Sequence, residues 1–321
     1  MQRVLTTVTL LGLLVATAGA FAITEHLKLE KSPLFAIQIS PGSAPEVHRG
    51  VPTVISPICN CPTSVARIGF KLRHPDHVTV TIVDGNGRAV ATTGISGQLL
   101  AGRVGQHVVW GGRTDSGAPI PDGVYYPSIH LGNERRTFNL ANKITVDTKP
   151  PAVLSVTGLK PVLLAGPGRS AAIKYAFSKQ AHALVYLRGR QIVLGHRTRP
   201  SDKIKWNGRF NHKPVPAGTY VLSIGARDLA GNETPAAERK NVTVVVRYVE
   251  LTPDRISVGS GGRLAVHVKT ALRRYRWRLG HRHGESRRKV LRLRAPSTPG
   301  TYRLVVGQPG MSATAVVRVH K

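Results

Sequence analysis

The sequence predicts an all-β chain of tandem β-sandwiches behind one apolar N-terminal helix. Three observations predict it. Short runs rich in Val and Ile alternate apolar and polar residues with period two, as strands with one buried face do. Glycine (33) and proline (22) punctuate these runs so often that long helices have little room. A unit running from a tryptophan to a tyrosine occurs twice, at Trp110–Tyr125 and at Trp206–Tyr220.

Residues 1–30 hold the apolar segment. No charge occurs from Val4 to Thr24, a run of 21 residues. At about 1.5 Å per residue this spans the ~30 Å hydrocarbon core of a bilayer with every backbone group satisfied inside the helix. Arg3 and the α-amino group precede it and the mixed-charge EHLKLEK follows. This asymmetry favours a single-pass membrane anchor through residues 4–24 with the remainder extracytoplasmic. Cleavage near Ala22, after the small residues of Ala20-Phe21-Ala22, is the alternative and makes the protein secreted. Both routes export the rest of the chain.

Residues 31–52 carry four prolines and no period, and read as an extended linker. A first domain is expected over 53–148. Ile68, Phe70 and Leu72 alternate with Arg67, Gly69 and Lys71, and Val78, Val80 and Ile82 alternate with Thr79 and Thr81. Asp84-Gly85-Asn86-Gly87 then supplies residues that tolerate the positive φ of a tight hairpin.

The repeat sets the architecture. Trp110-Gly-Gly-Arg113 matches Trp206-Asn-Gly-Arg209, Pro121-Asp-Gly-Val-Tyr125 matches Pro216-Ala-Gly-Thr-Tyr220, and TPGTYRLVV from Thr298 is a weaker echo. The tryptophan fills a core at a strand end, Pro-x-Gly turns the chain, and the tyrosine starts the return strand. These two motifs resemble the Ig-like domain of flagellar hook-capping proteins and related bacterial envelope Ig-like repeats, over roughly residues 51–248. The resemblance implies Ig-like β-sandwiches. It does not carry flagellar assembly with it, because an apolar segment stands where hook-capping proteins have their hook-binding region. ITVDTKPPAV marks the boundary to a second Ig-like domain, 149–247, and a small basic Ig-like domain follows over 248–321. The loop DLAGNETP offers oxygens to a calcium ion but is poor in acids, and reads as a turn.

Formal charge is +30, from 46 basic and 16 acidic side chains, so attraction to polyanions is expected. It is concentrated at the end of the chain: residues 251–321 hold 16 lysines and arginines against two acids, Asp254 and Glu285. Within RRYRWRLG, Tyr275, Trp277 and Leu279 fall on one face and Arg274, Arg276 and Arg278 on the other. Leu291, Leu293 and Ala295 likewise oppose Arg292 and Arg294, so the two stretches read as a hairpin whose linker includes Arg287, Arg288 and Lys289. These eight basic residues are the expected polyanion-binding set. The partner this favours is an anionic cell-envelope polymer or a surface protein, because guanidinium pairs with phosphate and carboxylate through two donors. Nucleic acid is disfavoured by export and by aromatics that point inward.

Cys59 and Cys61 are the only cysteines. Outside the membrane a local disulfide, thiols free or bridged to another chain, and a soft-metal contact all remain open. No G-x-S-x-G, H-E-x-x-H or phosphate-binding P-loop occurs, and acids are sparse for a paired-carboxylate hydrolase. The expectation is a noncatalytic surface protein without a cofactor. Its alternatives are an envelope-anchored thiol redox or metal-handling factor using Cys59 and Cys61, and an accessory subunit of a surface assembly.

Overall fold

The computed structural model describes residues 12–13, 15–17, 31–42, 52–158, 162–164, 166 and 168–321. Most of the expected membrane segment, 4–24, lies outside the described residues. Among those described, no helix is long and apolar enough to cross a membrane.

Three sandwiches follow one another. The first contains β1 (Leu34–Pro41), β2 (Thr53–Ile55), β3 (Ala66–Leu72), β4 (Asp76–Val83), β5 (Ala89–Thr92), β6 (Gln98–Leu100), β7 (Gly105–Trp110), β8 (Gly123–Leu131), β9 (Arg136–Asn139) and β10 (Ile144–Val146). The second contains β11 (Val153–Gly158), β12 (Val162–Leu164), β13 (Ala171–Phe177), β14 (Ala181–Leu187), β15 (Arg190–Thr198), β16 (Ser201–Trp206), the short pair β17 (Arg209–Phe210) and β18 (Lys213–Pro214), β19 (Gly218–Asp228) and β20 (Lys240–Arg247). The third contains β21 (Val249–Thr252), β22 (Arg255–Gly259), β23 (Arg263–Thr270), β24 (Tyr275–Leu279), β25 (Arg282–Ser286), β26 (Val290–Arg294), β27 (Gly300–Gln308) and β28 (Met311–His320).

One strand order is used three times. The small sheets run β1-β3-β7, β11-β13-β16 and β21-β23-β26. The large sheets run β2-β10-β8-β4-β5, β12-β20-β19-β14-β15 and β22-β28-β27-β24-β25, with β6 and β9 added in the first. In each, a short strand pairs in parallel with the last strand while the other pairs are antiparallel. Two antiparallel sheets joined in this order form an Ig-like or fibronectin type III-like sandwich. The third unit, seen in the sequence only as an echo, is a full copy.

The repeat has a hydrogen-bonded basis. Tyr125 Oη donates to the Pro121 carbonyl (2.9 Å), Tyr220 Oη to Pro216 (2.8 Å) and Tyr302 Oη to Thr298 (2.9 Å), so each tyrosine ties its return strand to the residue four places before it. The indole N–H of Trp110 donates to Arg113 and that of Trp206 to Arg209. Each indole meets its tyrosine edge-on, at 5.7 and 5.9 Å between ring centres. Such pairs contribute about 0.5–1.5 kcal/mol beyond their burial. In the third sandwich the corresponding strand ends without a tryptophan, at Arg294-Ala295.

One correction concerns the domain plan. The expected linker 31–52 contains a strand: β1 pairs with β3 from Leu34 opposite Leu72 to Pro41 opposite Ala66, so the first sandwich begins well before residue 53. Its alternation is hidden by a bulge, because Ala36 takes φ 52° and the register shifts between Phe35 and Gln38. The chain also divides into two compact units, Met1–Asp147 and Thr148–Lys321. Within the latter, the second and third sandwiches share one continuous apolar core, and buried Tyr248 at their junction donates its phenol to the Val215 carbonyl. The expected turn at Asp84–Gly87 is present. Asp84 accepts the backbone N–H of Asn86 and of Arg88, and Gly87 has φ 79°.

Candidate functional site: the cationic third sandwich

Alternation in β24 buries Tyr275 and Leu279 and half-buries Trp277, which leaves Arg276 and Arg278 on the outer face of the large sheet. They are not alone there. Arg255 and Arg303 both stand opposite Val316, and Arg318 stands opposite Ser257 and Thr301. All three are exposed. These arginines were missed in the sequence, although each takes the polar place in an alternating run: RISV, YRLV and VVRV.

The expected arginine hairpin does not form. β24 pairs with β25, Arg276 opposite Glu285 and Arg278 opposite His283. β26 belongs to the other sheet and pairs with β23, Arg294 opposite Arg263 and Arg292 opposite Ala265. Arg292 and Arg294 therefore face outward on the opposite side of the sandwich from Arg276 and Arg278. Arg287, Arg288 and Lys289 form the turn from β25 to β26, and Arg274 lies just before β24. The eight expected residues thus divide among two faces and the edge that joins them. β25 defeats pattern reading because it is an edge strand whose inward positions, Arg282, Gly284 and Ser286, are not apolar.

Carboxylates do little to offset this charge. Glu285 is shared by two arginines, accepting from Arg274 Nη1 at 3.1 Å and Arg276 Nε at 3.3 Å. The hydrogen bonds from Arg274 and then Arg276 hold its carboxyl below the usual range of 4.5. Lys269 pairs with Glu250 at 3.1 Å on the small sheet. Cationic side chains directly opposite one another, such as Arg263 and Arg294, repel, and a bound anion relieves that repulsion.

As expected, Tyr275 and Trp277 both face inward from β24, but to different depths. Tyr275 is buried and its phenol donates to the Arg288 carbonyl at 2.6 Å. Trp277 is only partly buried, and it lines an open groove of about 560 Å³ together with Arg274, Arg287, Arg288 and Arg292. Tyr275 is therefore core, while Trp277 packs against the core and also borders the groove.

Elsewhere, Cys59 and Cys61 are joined in a disulfide with Cα atoms 5.2 Å apart, which leaves neither sulfur a thiolate ligand in this state. Cys61 Sγ lies 3.1 Å from the Thr63 hydroxyl. In the DLAGNETP loop, the buried Asp228 carboxylate accepts both N–H groups of Asn232 and pairs with Lys179 at 2.8 Å. The lysine stands where a cation would, so this carboxylate closes a turn.

No protein-family model and no curated protein matches the chain. Solved structures similar to it are multi-domain β-sandwich fragments. The fibronectin(III)-like modules of Clostridium thermocellum CbhA have 13% identity over 65% of this chain and 94% of theirs, with a TM-score of 0.33. Titin domains I67–I69, in an E-to-A variant, have 10% identity over 90% and 99%, at 0.29. The FN1–FN3 domains of chicken CNTN1 have 12% identity over 90% and 99%, at 0.21. Scores this low carry no argument about activity, and the tandem Ig/fibronectin-like fold rests on the strand orders above.

Proposed function

We propose that the protein is a noncatalytic cell-envelope surface protein, held to the membrane by residues 4–24, whose first two sandwiches form a stalk and whose third binds an anionic envelope polymer. The observation that carries this reading is the arginine set on the large sheet of the third sandwich. Arg255, Arg276, Arg278, Arg303 and Arg318 share an outer face on which Glu285 is already shared between two arginines. Guanidinium groups fixed on a pleated sheet present paired donors to successive carboxylates or phosphates. The finer kinship with hook-capping Ig-like domains is supported by the Trp-x-Gly-Arg and Pro-x-Gly-x-Tyr units, whose indole and phenol hydrogen bonds recur in the first two sandwiches. Thiol exchange at Cys59–Cys61 is a narrower alternative that rests on the disulfide alone.

The test is binding of the full-length protein to an anionic wall polymer at rising salt. A change of Arg276, Arg278 and Arg303 together to serine is expected to weaken binding roughly a hundredfold at low ionic strength, and salt to erase the difference. Equal binding by the parent and triple-serine proteins at low salt refutes the reading.

A further inference from the structure

The third sandwich is open along the side where edge strands β25 and β26 face each other across the core. Two contacts bridge this opening. Arg282 Nη1 donates to the Arg294 carbonyl at 3.0 Å, and Tyr275 Oη donates to the Arg288 carbonyl. Between them Trp277 leans over Gly284, its neighbour across the strands. A Cβ at Gly284 would sit 2.9 Å from Trp277 Cζ2 and 3.0 Å from Cε2 and Nε1, so the indole can lie there only because that residue has no side chain. The ring is thereby carried toward the edge of the sandwich. The groove it lines has apolar side chains from Val290, Leu291 and Leu293, the arginines Arg274, Arg287, Arg288 and Arg292, and one carboxylate, Glu285, which Arg274 already holds at 3.1 Å. At about 560 Å³ it falls within the usual ~300–1,000 Å³ of small-ligand clefts.

We infer that this groove holds one acidic sugar unit of the polymer, with the indole of Trp277 against the C–H face of a hexuronate ring and the groove's arginines on its carboxylate. The inference rests on the polymer-binding reading above and narrows it. A chain of phosphates has charge for the arginines but no apolar face for Trp277 and the leucines. A single-stranded nucleic acid needs a succession of stacking rings, and Trp277 is the one aromatic in this groove. A uronate has one apolar face and one carboxylate per ring, which matches one indole beside four guanidinium groups whose only carboxylate, Glu285, is already held by Arg274 and Arg276.

The experiment titrates the full-length protein with an oligogalacturonate, a polyphosphate and a single-stranded oligodeoxynucleotide, read by tryptophan fluorescence and by calorimetry. Trp110 and Trp206 are buried at 4% and 1% exposure, so ligand-dependent fluorescence reports mainly Trp277. The oligogalacturonate is expected to change the emission, and Trp277→Ala to weaken its binding by at least about fivefold. Gly284→Val, which displaces the ring and leaves every charge, is expected to weaken it to a similar degree. Thermal unfolding checks that both variants are folded. Polyphosphate is expected to bind without either effect. Oligogalacturonate binding that is unchanged in both folded variants overturns the groove and leaves the polymer reading intact. A Trp277-dependent signal that is stronger with the oligodeoxynucleotide or polyphosphate overturns the sugar assignment. Failure of all three polyanions to bind at low salt overturns the polymer reading, and the groove with it.

Discussion

Trp206→Ala should lower the stability of the second and third sandwiches together and leave the first untouched. Trp206 is 1% exposed, packs edge-on against Tyr220 and donates its N–H to the Arg209 carbonyl. Removing a buried indole costs about 3–5 kcal/mol, a large part of the ~5–15 kcal/mol that holds a domain folded. For a unit the size of Thr148–Lys321 this corresponds to a fall in Tm of about 6–20 °C. The whole unit is expected to respond because the core around Trp206 runs on through Tyr248 to Tyr275 and Val317. Trp110→Ala is the matched control, since its indole belongs to a separate core that includes Tyr125 and Ile129. Differential scanning calorimetry of the full chain should show one transition moved by each substitution, and a different one in each case. If Trp206→Ala split the second and third sandwiches into two transitions and moved only one, the shared core would not couple them, and the reasoning would be refuted.

Two further outcomes are expected. Glu285→Gln removes the carboxylate that Arg274 and Arg276 share, so polyanion affinity should rise, by up to about fivefold at low salt, in the same calorimetric titration; an unchanged or lower affinity would mean that the pairing does not restrain these arginines. At high pH, burial raises the phenols of Tyr125, Tyr175, Tyr186, Tyr220 and Tyr248 above 10.0. The folded state thus favours the neutral form, and the linked stability is intact below pH about 10 and lost as pH climbs through the folded values. Denaturant midpoints measured across this range should fall together with the rise of phenolate absorbance, and a flat profile would contradict it.

Much of the fold was legible because the sandwiches are built from strands with one buried face. β3 and β4 alternate without a break, and their inward residues, among them Ile68, Phe70, Val78 and Val80, are all buried. What was hidden lies where that rule lapses. β1 carries a bulge at Ala36 that breaks the period, and β25 faces inward with Arg282, Gly284 and Ser286, which bury no apolar side chain. Missing β25 had a direct consequence. With that strand read as a linker, β24 and β26 became neighbours and the arginines collapsed onto one face, whereas they occupy opposite faces and an edge. The same omission concealed Gly284 and so the reach of Trp277. An edge strand is read poorly from sequence for the reason that makes it available to a ligand: its side chains answer to solvent rather than to the core.

Three sandwiches with one strand order let surface chemistry be separated from fold. The tyrosine-to-backbone bond is kept in all three, at Tyr125, Tyr220 and Tyr302, which marks it as part of what forms the sandwich. The core tryptophan at the strand end is kept in two and is absent from the third, where the strand ends Arg294-Ala295. The third sandwich has its tryptophan elsewhere, on β24, partly buried and beside the edge. It also has 16 basic residues against two acids over 251–321. Since the shared frame folds in the first sandwich, residues 53–148, with nine basic residues against six acids, the fold itself does not require such a surplus of arginines. Like charges set opposite one another on a sheet cost stability. A surface that is costly to the fold and that the first sandwich lacks is best explained by what it binds, and four of the third sandwich's arginines, Arg274, Arg287, Arg288 and Arg292, line the groove together with the displaced Trp277.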